Sequence, residues 1–170
     1  MFSLIISIIS IALVAALAAA TVYFGGAAFN KGSAGADAST FVNAGQQISG
    51  AFTLAAADGF NPTTVAELNT GLGTGTIKEV YLAQIPSYKG TGLDGIVTNG
   101  AVGKYVVSEV SDQVCAEIVK RAEGNEEAVK TQATFAPAGL YGCVKSTEKV
   151  TPVGGTEIAA EKHVAFYKAY

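Results

Sequence analysis

The feature that most constrains this chain is its N-terminal stretch of thirty residues without a charged side chain. From Met1 to Asn30 there is no Asp, Glu, Lys or Arg, and the 23 residues from Phe2 to Phe24 are almost all apolar. As a helix rising about 1.5 Å per residue, that run is roughly 34 Å long, enough to cross a hydrocarbon layer of about 30 Å. The sequence therefore predicts a helix of membrane length.

Three interpretations of this helix compete. A cleaved secretory signal has a basic start and an apolar core of only about 7 to 15 residues, whereas this chain starts apolar and stays so for longer. A helix buried in a globular protein would leave only residues 31–170 to cover it on every side. The other possibilities are a single membrane anchor, or a helix that is held in the bilayer and later packs against copies of itself.

Charge and cysteine content limit the function classes of the remaining chain. The net charge is −3, the pI is near 5.1, and the basic residues are scattered between Lys31 and Lys168 without forming a patch, so nucleic acid is not an expected partner. Cys115 and Cys143 lack the spacing of a zinc site or of a C-x-x-C redox motif. Beyond a membrane helix the compartment is expected to be oxidising, which favours one disulfide between them; two separate buried thiols are the alternative.

A second helical pattern follows the apolar run. Gly25-Gly26 is expected to form a hinge, because each glycine costs about 1 kcal/mol of helix propensity relative to alanine. From Ala36 to Ala57 apolar residues recur every three or four positions, which predicts an amphipathic helix ended by Gly59. Its predicted buried face consists of Phe41, Ala44, Ile48, Phe52 and Ala55.

The remaining sequence predicts short helices and strands. A capping box at Thr64 predicts a short helix to Thr70, closed by Gly71. Ser111 is the predicted N-cap of a helix over Asp112–Glu123, ended by Gly124, with an inner face of Val114, Cys115, Ile118, Val119 and Ala122. Asn125 is expected to cap a further short helix over Glu126–Gln132. Asn99-Gly100 is a hairpin-turn signal, and the predicted strands are Ile77–Ile85, Lys104–Val110, Leu140–Lys145 and Glu161–Ala169.

This order predicts an α+β fold. We expect a long N-terminal spine helix with an apolar first half, and an antiparallel β-sheet and short helices packed on its second half. The chain should then have two parts, an apolar membrane or filament-core helix over residues 1–30 and a globular head domain over residues 31–170.

Two segments of the sequence resemble a known family. The start Phe2-Ser3-Leu4-Ile5-Ile6 with its apolar helix resembles the N-terminus of a mature type IV pilin, whose usual opening is Phe or Met, a small polar residue and then Leu-Ile-Glu. The segment Ser111–Val119 is similar to the cysteine-bearing helix of the type IVb pilins, and Cys143 falls where their second cysteine closes the C-terminal loop. One position departs from the pattern, because the family's glutamate aligns with Ile5 or Ile6.

The resemblance implies a structural subunit of an extracellular type IV pilus-like helical filament, assembled from the inner membrane by packing of the apolar helices. Its expected partners are membrane lipid before assembly, the pilus assembly machinery and copies of itself, with no cofactor and no metal. Met1 is the expected site of N-methylation, and the family's leader peptide is expected to be already removed or never to have existed. The expected filament-core residues are Phe2, Leu4, Ile5, Ile6, Ile8, Ile9, Ile11, Leu13, Leu17 and Phe24.

The energetics of such a filament are coherent. Thirteen large apolar side chains lie between Phe2 and Phe24, and exposing them to water would cost on the order of 25 kcal/mol at about 2 kcal/mol each. Because lipid and a helix bundle are similarly apolar, close packing has to supply the affinity between helices. The expected packing sites are Ser3, Ser7, Ser10, Ala16 and Ala20. The missing glutamate matters because, in the family, it is thought to neutralise a neighbouring subunit's terminal amine inside an apolar core.

Two other functions stay open: a single-pass anchored binding domain in the periplasm or outside the cell, and the coat subunit of a virus extruded through a membrane. Such a coat usually has a basic C-terminal tail for nucleic acid, whereas His163–Tyr170 contains only Lys168. An enzyme is not expected, because His163 is isolated in the sequence and no serine lies in a G-x-S-x-G elbow. Glu123, Glu126 and Glu127 are interpreted as a solvated helix end.

Overall fold

The computed structural model describes residues 2–71, 80–93, 95–99, 103–124 and 129–170. The first element is helix α1, Phe2–Ala57. The chain divides into two compact units, Met1–Ala34 and Gly35–Tyr170. We call Phe2–Phe24 the stem and Gly35–Tyr170 the head.

Helix α1 is helical through Gly25 and Gly26, so the two glycines do not split it. The helix predicted to begin at Ala36 is instead the C-terminal part of α1. Two glycines cost only about 2 kcal/mol together, which their helix-forming neighbours can offset. A hinge at this place stays a prediction.

The described residues of the head form two further helices and seven strands. A two-stranded sheet pairs β1 with β2 in antiparallel fashion. The larger sheet has the order β3-β4-β7-β6-β5, and its first four strands are antiparallel neighbours. The bounds after α1 are α2 Val65–Thr70, β1 Ser87–Tyr88, β2 Thr91–Gly92, β3 Ile96–Asn99, β4 Gly103–Val110, α3 Asp112–Glu123, β5 Lys130–Gln132, β6 Tyr141–Ser146 and β7 Lys162–Lys168.

The α+β class is confirmed, but the expected purely antiparallel sheet is wrong because β5 runs parallel to β6. The connection over residues 133–140 carries Phe135, which packs on the sheet against Phe166. The chain thus crosses one face of the sheet between the two strands and enters β6 in the same direction as β5.

Several predictions of helices and strands are confirmed. Helices α2 and α3 begin and end as predicted, and β4, β6 and β7 match their predicted segments to within a residue or two. Strands β3 and β4 form the predicted hairpin, but Asn99 is not a turn residue as predicted: it is the last residue of β3 and pairs with Gly103. Residues 100–102, between the two strands, lie outside the described residues.

Two segments differ from the sequence predictions. The strand expected at residues 77–85 is absent over Val80–Ile85, where the N–H groups of Tyr81 and Leu82 donate to the Leu68 carbonyl instead; residues 77–79 lie outside the described part. The short helix expected near Glu126–Gln132 is replaced at its end by β5, which pairs with β6; residues 125–128 also lie outside the described part. A helix this short is marginal by itself, and strand pairing decides the conformation.

Both faces of the larger sheet are covered. The helix-covered face contains Cys143 and Tyr167, which contact α3 and α1 respectively. All five predicted core residues of the α1 segment are buried, whereas Ala122 in the last turn of α3 is exposed, contrary to prediction. The loop-covered face holds a cluster of Tyr105, Val107, Val144, Val150, Ile158, Val164 and Phe166.

Candidate functional site

The stem presents its large apolar side chains outward. Their exposed fractions run from 52% at Ile5 to 79% at Tyr23, and none of its most apolar 18-residue window is buried. By length and composition, α1 is the one helix among the described residues that could cross a membrane. The exposed predicted core residues are Leu4, Ile5, Ile6, Ile8, Ile9, Ile11, Leu13 and Leu17; the side chains of Phe2 and Phe24, and all of Met1, lie outside the described part.

Three hydroxyl side chains of the stem are bonded to its own backbone. Ser7 Oγ donates to the Ser3 carbonyl at 2.9 Å, Ser10 Oγ donates to the Ile6 carbonyl at 2.8 Å, and Thr21 Oγ1 donates to the Ala18 carbonyl at 2.9 Å. An unpaired hydroxyl in hydrocarbon would be costly, and these bonds remove that cost. Sequence reasoning treated the serines as small packing residues and missed this role, although a hydroxyl four residues after a helical carbonyl is the signal for it.

The head holds α1 from Gly35 onward through side chains of α3 and of the β1–β2 turn. Arg121 of α3 donates to the Gly35 carbonyl at 2.9 Å and to Ser39 Oγ at 2.6 Å. Lys89 in the turn forms an ion pair with Asp37 at 2.9 Å, and this hydrogen bond raises the pKa of Lys89. Sequence reasoning did not identify either contact, because both join residues far apart in the chain.

The predicted disulfide is confirmed. Cys115 on α3 is bonded to Cys143 on β6, with 5.3 Å between their Cα atoms, and both residues are buried. Tyr141 of β6 donates its hydroxyl to the Arg121 carbonyl at 3.1 Å. The disulfide therefore attaches α3 to the sheet, and α3 is the helix whose Arg121 binds α1.

An aromatic pair continues this contact to α1. The ring of Tyr141 stacks on the ring of Tyr167 at 6.0 Å, and Tyr167 in turn lies against Gly45 of α1. Burial raises the pKa of Tyr167, against an opposing effect of its hydrogen bond with Gln46. The head end of α1 is thus held by strands as well as by α3.

No protein-family model, curated protein or solved structure matches the chain.

The residues considered for catalysis do not come together. His163 Nε2 lies 3.3 Å from an Asp112 carboxylate oxygen, while Glu123 pairs with Lys130 at 3.0 Å. Within the described ranges, no three His, Cys, Asp or Glu side chains cluster in a way that could hold a metal ion. Glu126 and Glu127 lie outside those ranges.

Proposed function

We propose that this chain is the structural subunit of an extracellular type IV pilus-like filament, assembled from the inner membrane. The observation that carries the proposal is a single helix whose first part exposes apolar side chains while its last part is built into a disulfide-linked head. A filament of this kind needs both properties in one element. The stem must be soluble in lipid, and the head must be attached to it firmly.

Assembly would exchange one apolar environment for another. Lipid and a bundle of neighbouring stems bury the same side chains, so the hydrophobic term changes little on transfer. The free energy of assembly must then come from close packing of helix backbones, for which the stem offers serine and alanine positions. Growth from identical head-to-tail contacts would give an open-ended helical polymer.

Without the family's glutamate, a filament of this chain needs another way to accommodate the terminal ammonium. Ile5 and Ile6 cannot neutralise a terminal ammonium in an apolar core, where an unpaired charge would be very costly. In an assembled filament the terminal amine of the mature chain would be hydrated or bonded to backbone carbonyls of a neighbouring subunit. Methylation of that amine would keep its charge and would not replace the glutamate.

A second candidate is a single-pass membrane-anchored binding domain. It is favoured by the length and composition of the same helix, which suffice to cross a membrane without any neighbouring copy. The two candidates differ in whether the stem contacts other stems.

Shearing of cells that produce the full chain separates these candidates. A filament subunit should be recovered from the medium as high-mass fibres visible by electron microscopy, and its intact mass should be two hydrogens below that of the reduced chain. Retention in the membrane fraction, with monomers in detergent micelles and no fibres, would support the anchor instead.

A further inference from the structure

Strand β4 is only partly covered on the side away from β7. Strand β3 pairs with Gly103–Val106, and the Val107 N–H donates to the Gly95 carbonyl at 3.1 Å. Beyond that bond, no strand of the described chain pairs with Ser108–Val110 on this side. Because β7 pairs with all three residues on the other side, they still have strand geometry.

The alternation of the strand shows which backbone groups face the open side. Lys104 exchanges hydrogen bonds with Ala169 and Tyr170 on the β7 side, whereas Val107 donates towards β3. Successive residues of a strand point their N–H and C=O groups to opposite sides. Glu109 therefore directs its N–H and C=O to the uncovered edge, where the C=O also accepts a hydrogen bond from Ser108 Oγ at 3.3 Å.

A groove follows this edge. Two cavities of about 300 and 470 Å³ share Tyr88, Lys89 and Glu109 as lining residues. Together they extend along the chain from Val107 to Asp112, with the β1–β2 hairpin as one wall. The groove thus has room beside the open backbone groups.

One wall of the groove carries a buried polar atom without a partner. The Tyr88 side chain is 4% exposed, and its hydroxyl makes no hydrogen bond within the described structure. Burial raises the pKa of Tyr88 against the opposing effect of the neighbouring Lys89 ammonium. A tyrosine hydroxyl can both donate and accept a hydrogen bond. Buried hydroxyls are nearly always bonded, so this one indicates a missing partner.

Two ion pairs hold charged groups of the groove within the head. Lys89 pairs with Asp37 at 2.9 Å, and Glu109 pairs with Lys162 at 2.9 Å. The exposed Asp112 carboxylate at one end of the groove has His163 Nε2 at 3.3 Å as its neighbour. At Glu109 itself, the strand edge offers neutral main-chain hydrogen-bonding groups. The complementary group is the main chain of an extended peptide.

We propose that the open edge of β4 binds an extended peptide segment of another protein, which adds a strand beside Ser108–Val110. Main-chain groups of the peptide bond to the N–H and C=O of Glu109, and the Tyr88 hydroxyl bonds to the peptide's backbone. This inference does not depend on the filament proposal, since the groove lies entirely in the head.

The test uses the full chain in detergent micelles and a fluorescein-labelled, blocked Thr-Val-Thr-Val-Thr peptide. Fluorescence anisotropy should show saturable binding, and N-methylation of all the peptide's amides should weaken it at least tenfold. Amide hydrogen exchange by NMR should find the Glu109 N–H exchanging at least tenfold faster than those of Ser108 and Val110, and protected once peptide is bound.

Two variants at one position separate the backbone from the side chain. Glu109→Pro removes the edge N–H and should weaken binding at least tenfold, whereas Glu109→Gln keeps it and should bind like the unchanged chain. If the proline variant fails to fold, the exchange measurement on the unchanged chain still tests the proposal. Absence of binding at millimolar peptide overturns the proposal, as does equal binding of the N-methylated peptide. If protection of the Glu109 N–H rises with protein concentration in the absence of peptide, the edge binds a second copy of this chain, and the proposal is overturned.

Discussion

At the scale of single residues, the seating of α1 on the head depends on the absence of a side chain at Gly45. A Cβ built there would lie 2.7 Å from the Cβ of Tyr167, too close for any real contact, and Tyr167 is itself stacked on Tyr141. Five residues along the same helix, a Cβ at Gly50 would meet nothing within 4 Å. Substitution of these two glycines by alanine should therefore change the stability of the head in opposite directions.

We expect Gly45→Ala to lower the free energy of unfolding of the head by about 1–3 kcal/mol, because either the ring or the helix has to move. Gly50→Ala should instead raise it by up to about 1 kcal/mol through helix propensity. Urea unfolding followed by near-ultraviolet circular dichroism, with each variant in the same micelles, measures both changes. Equal effects of the two substitutions would mean that α1 does not rest on Tyr167.

At the scale of elements, α2 depends on hydrogen bonds made by Glu67. Its carboxylate accepts from the Thr63 N–H at 2.7 Å and from the Thr63 hydroxyl at 2.8 Å, while its own N–H donates to Thr64 Oγ1 at 3.3 Å. Burial raises the pKa of Glu67, but the hydrogen bonds from Thr63 and Thr64 outweigh burial and leave it lowered from 4.5.

A lowered folded-state pKa has a defined sign in the dependence of stability on pH. The unfolded chain takes up the proton first as pH falls, so the stabilisation by Glu67 is fully present above about pH 4.5 and is lost as pH falls through the lower, folded pKa. Glu67→Gln should therefore destabilise the head at pH 7 and matter less near pH 3. Unfolding midpoints measured over that range check this, and a difference independent of pH would contradict it.

The disulfide is the other element-scale feature with a direct test. We expect Cys115→Ser with Cys143→Ser to lower the free energy of unfolding by about 3 kcal/mol, since the bridge closes a loop with a sequence separation of 28. Denaturant unfolding with and without reductant provides the measurement. The double variant should be insensitive to reductant, and an unchanged chain that unfolds identically in its presence would contradict the expectation.

The same elements show why some of the fold could be predicted and some could not. Helices α2 and α3 carry start and stop signals locally, and both were predicted correctly. Thr64 caps α2 through its side chain and Gly71 and Gly124 end the two helices, whereas Ser111 occupies the N-cap position of α3 without a side-chain hydrogen bond. Strand β5 has no such signal, because its conformation is decided by pairing with β6, in which Lys130 lies opposite Val144. The apolar stem could likewise be predicted from composition. The contact of Arg121 with Gly35 could not, because it joins residues that only the folded head brings together.

At the scale of the whole molecule, the two candidate functions differ in whether stems contact one another. An anchor and a filament subunit both need an apolar stem, so a charged substitution would harm either one. A substitution that keeps the stem apolar but changes its surface shape affects only the subunit. Ala16 is exposed and belongs to the predicted close-packing positions, and Leu17 beside it is a large exposed residue.

We expect Ala16→Leu to leave membrane retention unchanged, because leucine is at least as soluble in hydrocarbon as alanine. If backbones approach closely at this position, the added side chain separates them, and the yield of sheared fibres should fall at least tenfold. Leu17→Ile conserves volume and serves as the control for both measurements. Because neither substitution lowers lipid solubility, a loss of fibres confined to Ala16→Leu indicates contact between stems, whereas a fibre yield unchanged in both variants would exclude close packing at Ala16.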